Sequence, residues 1–169
     1  MYGSSLGPIL DKYVDINYSC FVSSTKTLPY ETTLLVKDRC ICLHVQRAAR
    51  ALARRFDEEL RPFELTNGQF SLLMSLNRPE PPPMGPVASL LAMDRTTLTA
   101  ALKPLERRGL VKVQKDPSDR RSRTLILTDK GRTLLASALP VWQRTHEEIE
   151  SSASSVNWDS LRRNLLAIS

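Results

Sequence analysis

Long apolar runs are missing from this chain. No stretch of about 18 consecutive apolar residues occurs, so no membrane-spanning helix is expected. Aromatic residues are also scarce, at 6% of the chain, so a core has to be built mostly from Leu, Ala and Val. Cysteine is limited to three residues, an odd number, with Cys40 and Cys42 two apart. That is no disulfide framework, and it points to a reducing, cytoplasmic setting. Residues 1–30 lack a basic start followed by an apolar stretch, so a secretory signal is not expected there. There is no Gly-rich phosphate loop, no set of clustered carboxylates with a plausible cleft and no Ser-His-Asp set, and histidine occurs only twice. Acid–base, nucleophilic and phosphoryl-transfer chemistry all lack their parts. The chain does not read as an enzyme, and no cofactor is expected.

What is present is positive charge in one place. The net charge is +6 over 169 residues, a length that suits a single domain. Between Arg95 and Arg123 nine cationic side chains stand against three acidic ones. These are Arg95, Lys103, Arg107, Arg108, Lys112, Lys115, Arg120, Arg121 and Arg123, against Glu106, Asp116 and Asp119. This segment holds the whole excess, and the rest of the chain is balanced. A basic patch on a neutral background is the footprint of a polyanionic partner, although a solvated basic helix face would look similar.

Residues 1–32 show no sustained period and read as an arm, with a short helix possible around Ile9 to Ile16. Thr33 to Arg61 is helical in pattern: Ile41, Val45, Ala48, Leu52, Phe56 and Leu60 recur at spacings of three and four. Pro62 stops the helix. Thr66-Asn67-Gly68-Gln69 is a capping box that opens the next helix, with Phe70, Leu73 and Leu76 on one face. Residues 78–83 contain four prolines and read as a rigid loop. Met84 to Leu91 forms a short helix expected to pack through Val87, Leu90 and Leu91. After a turn at Ala92-Met93, Asp94 caps a helix whose core face is Leu98, Ala101, Leu102 and Leu105. Pro104 is expected to bend that helix and Gly109 to end it. Leu110, Val111 and Val113 start one strand, and Arg123, Leu125 and Leu127 alternate along a second. Asp116-Pro117-Ser118-Asp119 supplies the turn between them. Thr128 then caps a long helix with Trp142 and Ile149 on its apolar stripe, and Asn157 caps a last one.

The fold class is therefore mainly α with a small β-hairpin wing: a winged helix-turn-helix lobe plus a helical dimerisation region. The expected parts are a dimerisation helix at 33–63, a DNA-binding lobe at 64–127 and C-terminal dimerisation helices at 128–169. The second helix of such a unit places its N-terminal residues in the major groove. Here those residues are Arg95, Thr96, Thr97 and Thr99, with Lys103 one turn on. Threonine can meet a phosphate, a base edge or a thymine methyl, and arginine can fork onto guanine. Arg120, Arg121 and Arg123 lie in or beside the hairpin tip, where arginine suits a narrow minor groove. A winged helix that binds only protein would carry a neutral recognition helix and wing.

Further motifs run through the same region. They are Leu65-Thr66-Asn67-Gly68-Gln69-Phe70, Met93-Asp94-Arg95-Thr96-Thr97-Leu98-Thr99 and Leu105-Glu106-Arg107-Arg108-Gly109-Leu110-Val111. Asp116-Pro117-Ser118-Asp119-Arg120-Arg121 and Leu127-Thr128-Asp129-Lys130-Gly131 complete the set. On these residues the chain resembles the MarR family of bacterial regulators, from about Leu35 to Ile168. The resemblance implies a homodimer joined by its first and last two helices, with two winged lobes on a palindromic double-stranded DNA site. It implies that Asp119 positions Arg121 for the minor groove. Family wings often carry an arginine where Ser118 stands here.

Two routes to release from DNA stay open. One is a small organic ligand, such as an aromatic or fatty carboxylate, in a pocket where family members hold effectors. Val45, Arg47, Phe70, Met74 and Trp142 are the candidates by position. The other is oxidation of Cys42 or Cys40, since one MarR branch senses organic hydroperoxides with a cysteine in this region. Cys42 lies at the matching distance before Leu65-Thr66, but Gln46 and Phe56 stand where that branch uses tyrosines. Cys40, Cys42 and His44 also suggest a metal. On a helix Cys42 points away from the other two, so no metal site is expected.

Overall fold

A computed structural model of the chain describes residues 27–115 and 123–169. Among these residues there are seven α-helices and one two-stranded antiparallel sheet, a mainly helical fold with a wing. The chain divides into two compact units, one through His44 and one from Val45 onward.

In the first unit, helix α1 spans Tyr30–Arg39 and buries no residue. It ends at Cys40, whose backbone is extended (φ −74°, ψ 102°). Helix α2, Ile41–Leu60, begins at once. The single helix expected from Thr33 to Arg61 is thus two helices. The Cys40 carbonyl accepts both the His44 backbone N–H (3.2 Å) and its ring Nδ1–H (2.8 Å), which fixes it as the start of a new helix.

In the second unit, α2 buries Phe56 and Leu60 near its end. A short 3₁₀ turn, Arg61–Phe63, and a left-handed Glu64 (φ 53°) reverse the chain. The Thr66 capping box then forms as the sequence indicates: Thr66 Oγ1 accepts from the Gln69 N–H, and Gln69 Oε1 accepts from the Thr66 N–H. Helix α3, Asn67–Ser75, follows. Its first N–H also donates to Asp57 Oδ1 of α2 at 2.6 Å. Helix α4 is Met84–Leu90 and packs through Val87 and Ala88. Leu90 is 59% exposed, so it faces outward and not into the core. With only seven residues, this helix has room for one inward stripe, and Val87-Ala88 takes it. Ala92 adopts φ 50° in the turn to α5, a conformation costing roughly 1–2 kcal/mol for a residue with a Cβ.

Helix α5, Arg95–Arg107, buries Leu98, Leu102 and Leu105 and continues through Pro104 as one element. Gly109 follows at φ 70°, where glycine is free of that cost. Strand β1 (Val111–Lys115) pairs with β2 (Arg123–Leu127) in a register running from Val111↔Leu127 to Lys115↔Arg123. The proline loop joins this sheet: the Leu125 N–H donates to the Pro82 carbonyl (2.9 Å), and Pro83 bridges to Thr124.

Helix α6, Asp129–Ser152, is capped by Thr128 Oγ1, which accepts from the Gly131 N–H and itself donates to the Gly109 carbonyl (2.7 Å). A Cβ on Gly131 would overlap the Leu110 carbonyl and the Leu127 side chain. The Leu-Thr-x-x-Gly run is therefore a clamp that seats α6 on the turn after α5. Helix α7, Trp158–Leu166, is capped by Asn157 and buries none of its residues. The Trp158 indole donates to the Glu150 carbonyl (3.2 Å).

The core lies where α3 packs on α6, α4 on α5 and β2, and α5 on β1. Leu60, Leu73, Leu98, Leu105 and Leu125 are wholly buried there. Each such leucine contributes roughly 1.5–3 kcal/mol relative to an exposed one. The ion pairs Arg55–Glu148 and Arg144–Glu59, between α2 and α6, are exposed and contribute about 1 kcal/mol at most.

Candidate nucleic-acid interface

Helix α5 is oriented by its buried stripe. With Leu98, Leu102 and Leu105 fixed in the core, a 3.6-residue turn places Thr96, Ala100, Lys103 and Arg107 on the opposite, outward side. Arg95, Thr96, Thr99, Ala100 and Lys103 surround one shallow hollow of about 310 Å³. All five side chains are exposed.

The start of the helix is held by Asp94. Its Oδ1 accepts from the Thr97 N–H (2.8 Å) and its Oδ2 from the Thr97 hydroxyl (2.7 Å). The backbone N–H of Thr97, and then its hydroxyl, hold the Asp94 carboxyl below the usual carboxylate range. Thr97 is turned to the cap and is not among the residues around the hollow. The Thr99 hydroxyl donates to the Arg95 carbonyl (2.7 Å) within the same helix. The four remaining members of the expected reading set, Arg95, Thr96, Thr99 and Lys103, are thus brought together. Ala100, which sequence reasoning missed, sits among them. Its spacing of four from Thr96 was the available signal.

At the wing, Arg123 is exposed and faces Lys115 across the strand register. Asp119, Arg120 and Arg121 lie outside the described residues.

A second hollow, of about 340 Å³, lies on α3, the segment after it, α4 and α6. Phe70, Met74 and Trp142 line it together with Arg78, Leu90 and Leu91. The Phe70 and Trp142 rings stack with centroids 5.9 Å apart. Val45 and Arg47 are exposed and do not line it. The cation at this hollow is Arg78, whose Nε–H donates to the Ser75 carbonyl (3.0 Å). No local pattern marks Arg78, because the hollow is assembled from distant segments. Beside it, His146 sits between Phe56 (4.8 Å) and Trp142 (4.2 Å). Burial pushes its pKa below the ordinary value. Cys42 is exposed and Cys40 half-buried. Among the described residues no three His, Cys, Asp or Glu side chains converge as metal ligands, and no helix is long and apolar enough to cross a membrane.

A short helix, a tight turn, a side-chain-capped helix with a cationic outer face and a two-stranded hairpin define a winged helix-turn-helix unit. The MarR family pattern matches residues 65–122. The DNA complex of the Mycobacterium tuberculosis transcriptional regulator MosR is similar at 36% identity and a TM-score of 0.68, covering 77% of this chain and 93% of that one. The transcriptional repressor CouR, bound to a 23-mer DNA duplex, is similar at 32% identity and a TM-score of 0.63, covering 79% of this chain and 92% of that one. The regulator TtmR of Methylorubrum extorquens is 38% identical over 97 residues, 57% of this chain and 50% of TtmR. The chain thus spans half the length of that relative. It belongs to the MarR family of DNA-binding transcriptional regulators, a family of regulators and not of enzymes.

Proposed function

We propose that the chain acts in the cytoplasm as a homodimeric repressor, occupying a pseudo-palindromic operator through α5 and the wing and leaving it when a small organic carboxylate binds. The observation that carries this reading is the capped start of α5, with Arg95, Thr96, Thr99 and Lys103 exposed around one hollow. A helix N-terminus adds its own attraction for phosphate. The wing arginines, Arg120, Arg121 and Arg123, follow into the minor groove, with Asp119 positioning Arg121. Dimerisation is supported by the exposed Val45 and Leu52 on α2 and Leu161 and Leu165 on α7, which leave apolar surface in water. A two-fold dimer sets its half-sites about 34–36 Å apart. Repression needs only occlusion of the promoter and no separate activating surface.

For the effector, the hollow lined by Phe70, Met74 and Trp142 offers flat apolar walls, and Arg78 offers a guanidinium for a carboxylate. Aromatic and fatty acids both fit that chemistry. The exposure of Cys42 favours a second reading, in which an oxidant acts in place of a ligand.

The test is binding of the purified protein to its own upstream DNA across a salt series. Affinity that falls steeply with salt and exceeds that for random duplex supports the reading. Equal affinity for both duplexes overturns it. Adding aromatic and fatty acids, or cumene hydroperoxide followed by dithiothreitol, separates the effectors. Loss of binding that dithiothreitol restores and Cys42→Ser abolishes selects the cysteine.

A further inference from the structure

We propose that Ala100 is a base-reading position of α5, its methyl group meeting the 5-methyl of one thymine in each half-site. This rests on the reading that α5 enters the major groove. Ala100 lies on the face directly opposite the buried Leu98, Leu102 and Leu105, so it is carried toward the groove floor. It is exposed and surrounded by Arg95, Thr96, Thr99 and Lys103. Among these it is the smallest side chain, so the helix backbone approaches closest there while the longer neighbours reach sideways to phosphates and base edges.

The chemistry at Ala100 is restrictive. It has no group to donate or accept, and the apolar feature that base edges offer in the major groove is the thymine methyl. The threonines are less free. The Thr97 hydroxyl proton is given to Asp94 and the Thr99 hydroxyl proton to the Arg95 carbonyl. Both then meet DNA only as acceptors or through their methyls.

The experiment replaces each thymine of the upstream operator singly by deoxyuridine, which removes only the 5-methyl group. Wild type and Ala100→Gly are compared on each duplex. At one thymine per half-site the replacement is expected to weaken wild-type binding about fourfold, the worth of one buried methyl group. Ala100→Gly should not feel that replacement, whatever uniform loss the glycine brings. Ala100→Ser keeps the helix and should move the base preferred at that position away from thymine. If the deoxyuridine effects on wild type and Ala100→Gly match at every position, and Ala100→Ser selects the same sequence as wild type, the proposal is overturned while operator binding by α5 stands. Wild type that binds operator and random duplex alike overturns both.

Discussion

Helices α5 and α7 are built on the same local plan and finished differently. Each is amphipathic and each is opened by a side-chain cap, Asp94 in one and Asn157 in the other. Helix α5 buries its leucines inside its own chain and turns a polar, cationic face outward. Helix α7 half-buries Trp158 but has no fully buried residue, and it leaves Leu161 and Leu165 in contact with water. One helix is complete in a single chain and ready for a polyanion. The other leaves apolar surface that, in the proposed dimer, a second copy of the chain covers.

The strongest way to break that contrast is to unseat α6 from the turn after α5, on which the lobe closes. Gly131→Ala places a methyl group against the Leu110 carbonyl and the Leu127 side chain. Alanine gains about 1 kcal/mol in helix propensity, but overpacking against backbone should dominate, for a net loss of about 3 kcal/mol in urea unfolding. An unfolding curve like wild type would show that the clamp gives way freely. Next in size, Leu161→Glu with Leu165→Glu should raise the dimer dissociation constant about a hundredfold or more while far-ultraviolet circular dichroism stays native. Sedimentation reads this directly, and an unchanged dimer would remove α7 from the interface. Arg121→Ala should then weaken operator binding about tenfold and leave the dimer intact. Full affinity in the variant would take that arginine out of the groove.

The smallest effect concerns pH. His146 packs against Phe56 of α2, Trp142 of its own helix and the charged Glu150 and Arg162. Burial lowers its folded pKa below the ordinary 6.5; Arg162 also lowers it, while Glu150 pulls the other way. The unfolded chain therefore takes up the proton first. Stability is complete above that value and declines as pH falls from it toward the folded pKa. His146→Phe keeps the ring packing and should flatten this decline between neutral and mildly acidic pH. Urea midpoints that fall equally in both proteins would assign the decline elsewhere.

Legibility in the sequence followed the range of the interactions. The caps at Thr66, Asp94, Thr128 and Asn157 were readable because each is a hydrogen bond spanning three residues. The order of helices and strands was readable from periodicity for the same reason. The break at Cys40 was not, because no glycine or proline stands between Tyr30 and Leu60 to mark it. The outward turn of Leu90 depends on which neighbours α4 meets. The placement of Arg78 at the aromatic hollow, with Arg47 away from it, depends on segments far apart in the chain. For Thr97 and Ala100, residue type alone favoured the threonine. Only the hydrogen bonds of its hydroxyl show where it is turned.

The proline loop has a consequence for the protein at high concentration. A strand edge with unpaired N–H and C=O groups invites another chain to add itself, and repeated addition leads toward fibrils. Here Pro82 takes the Leu125 N–H, and Pro81, Pro82 and Pro83 have no N–H of their own to offer a newcomer. The β2 side of the wing is therefore terminated by residues that accept one hydrogen bond and cannot pass the ladder on.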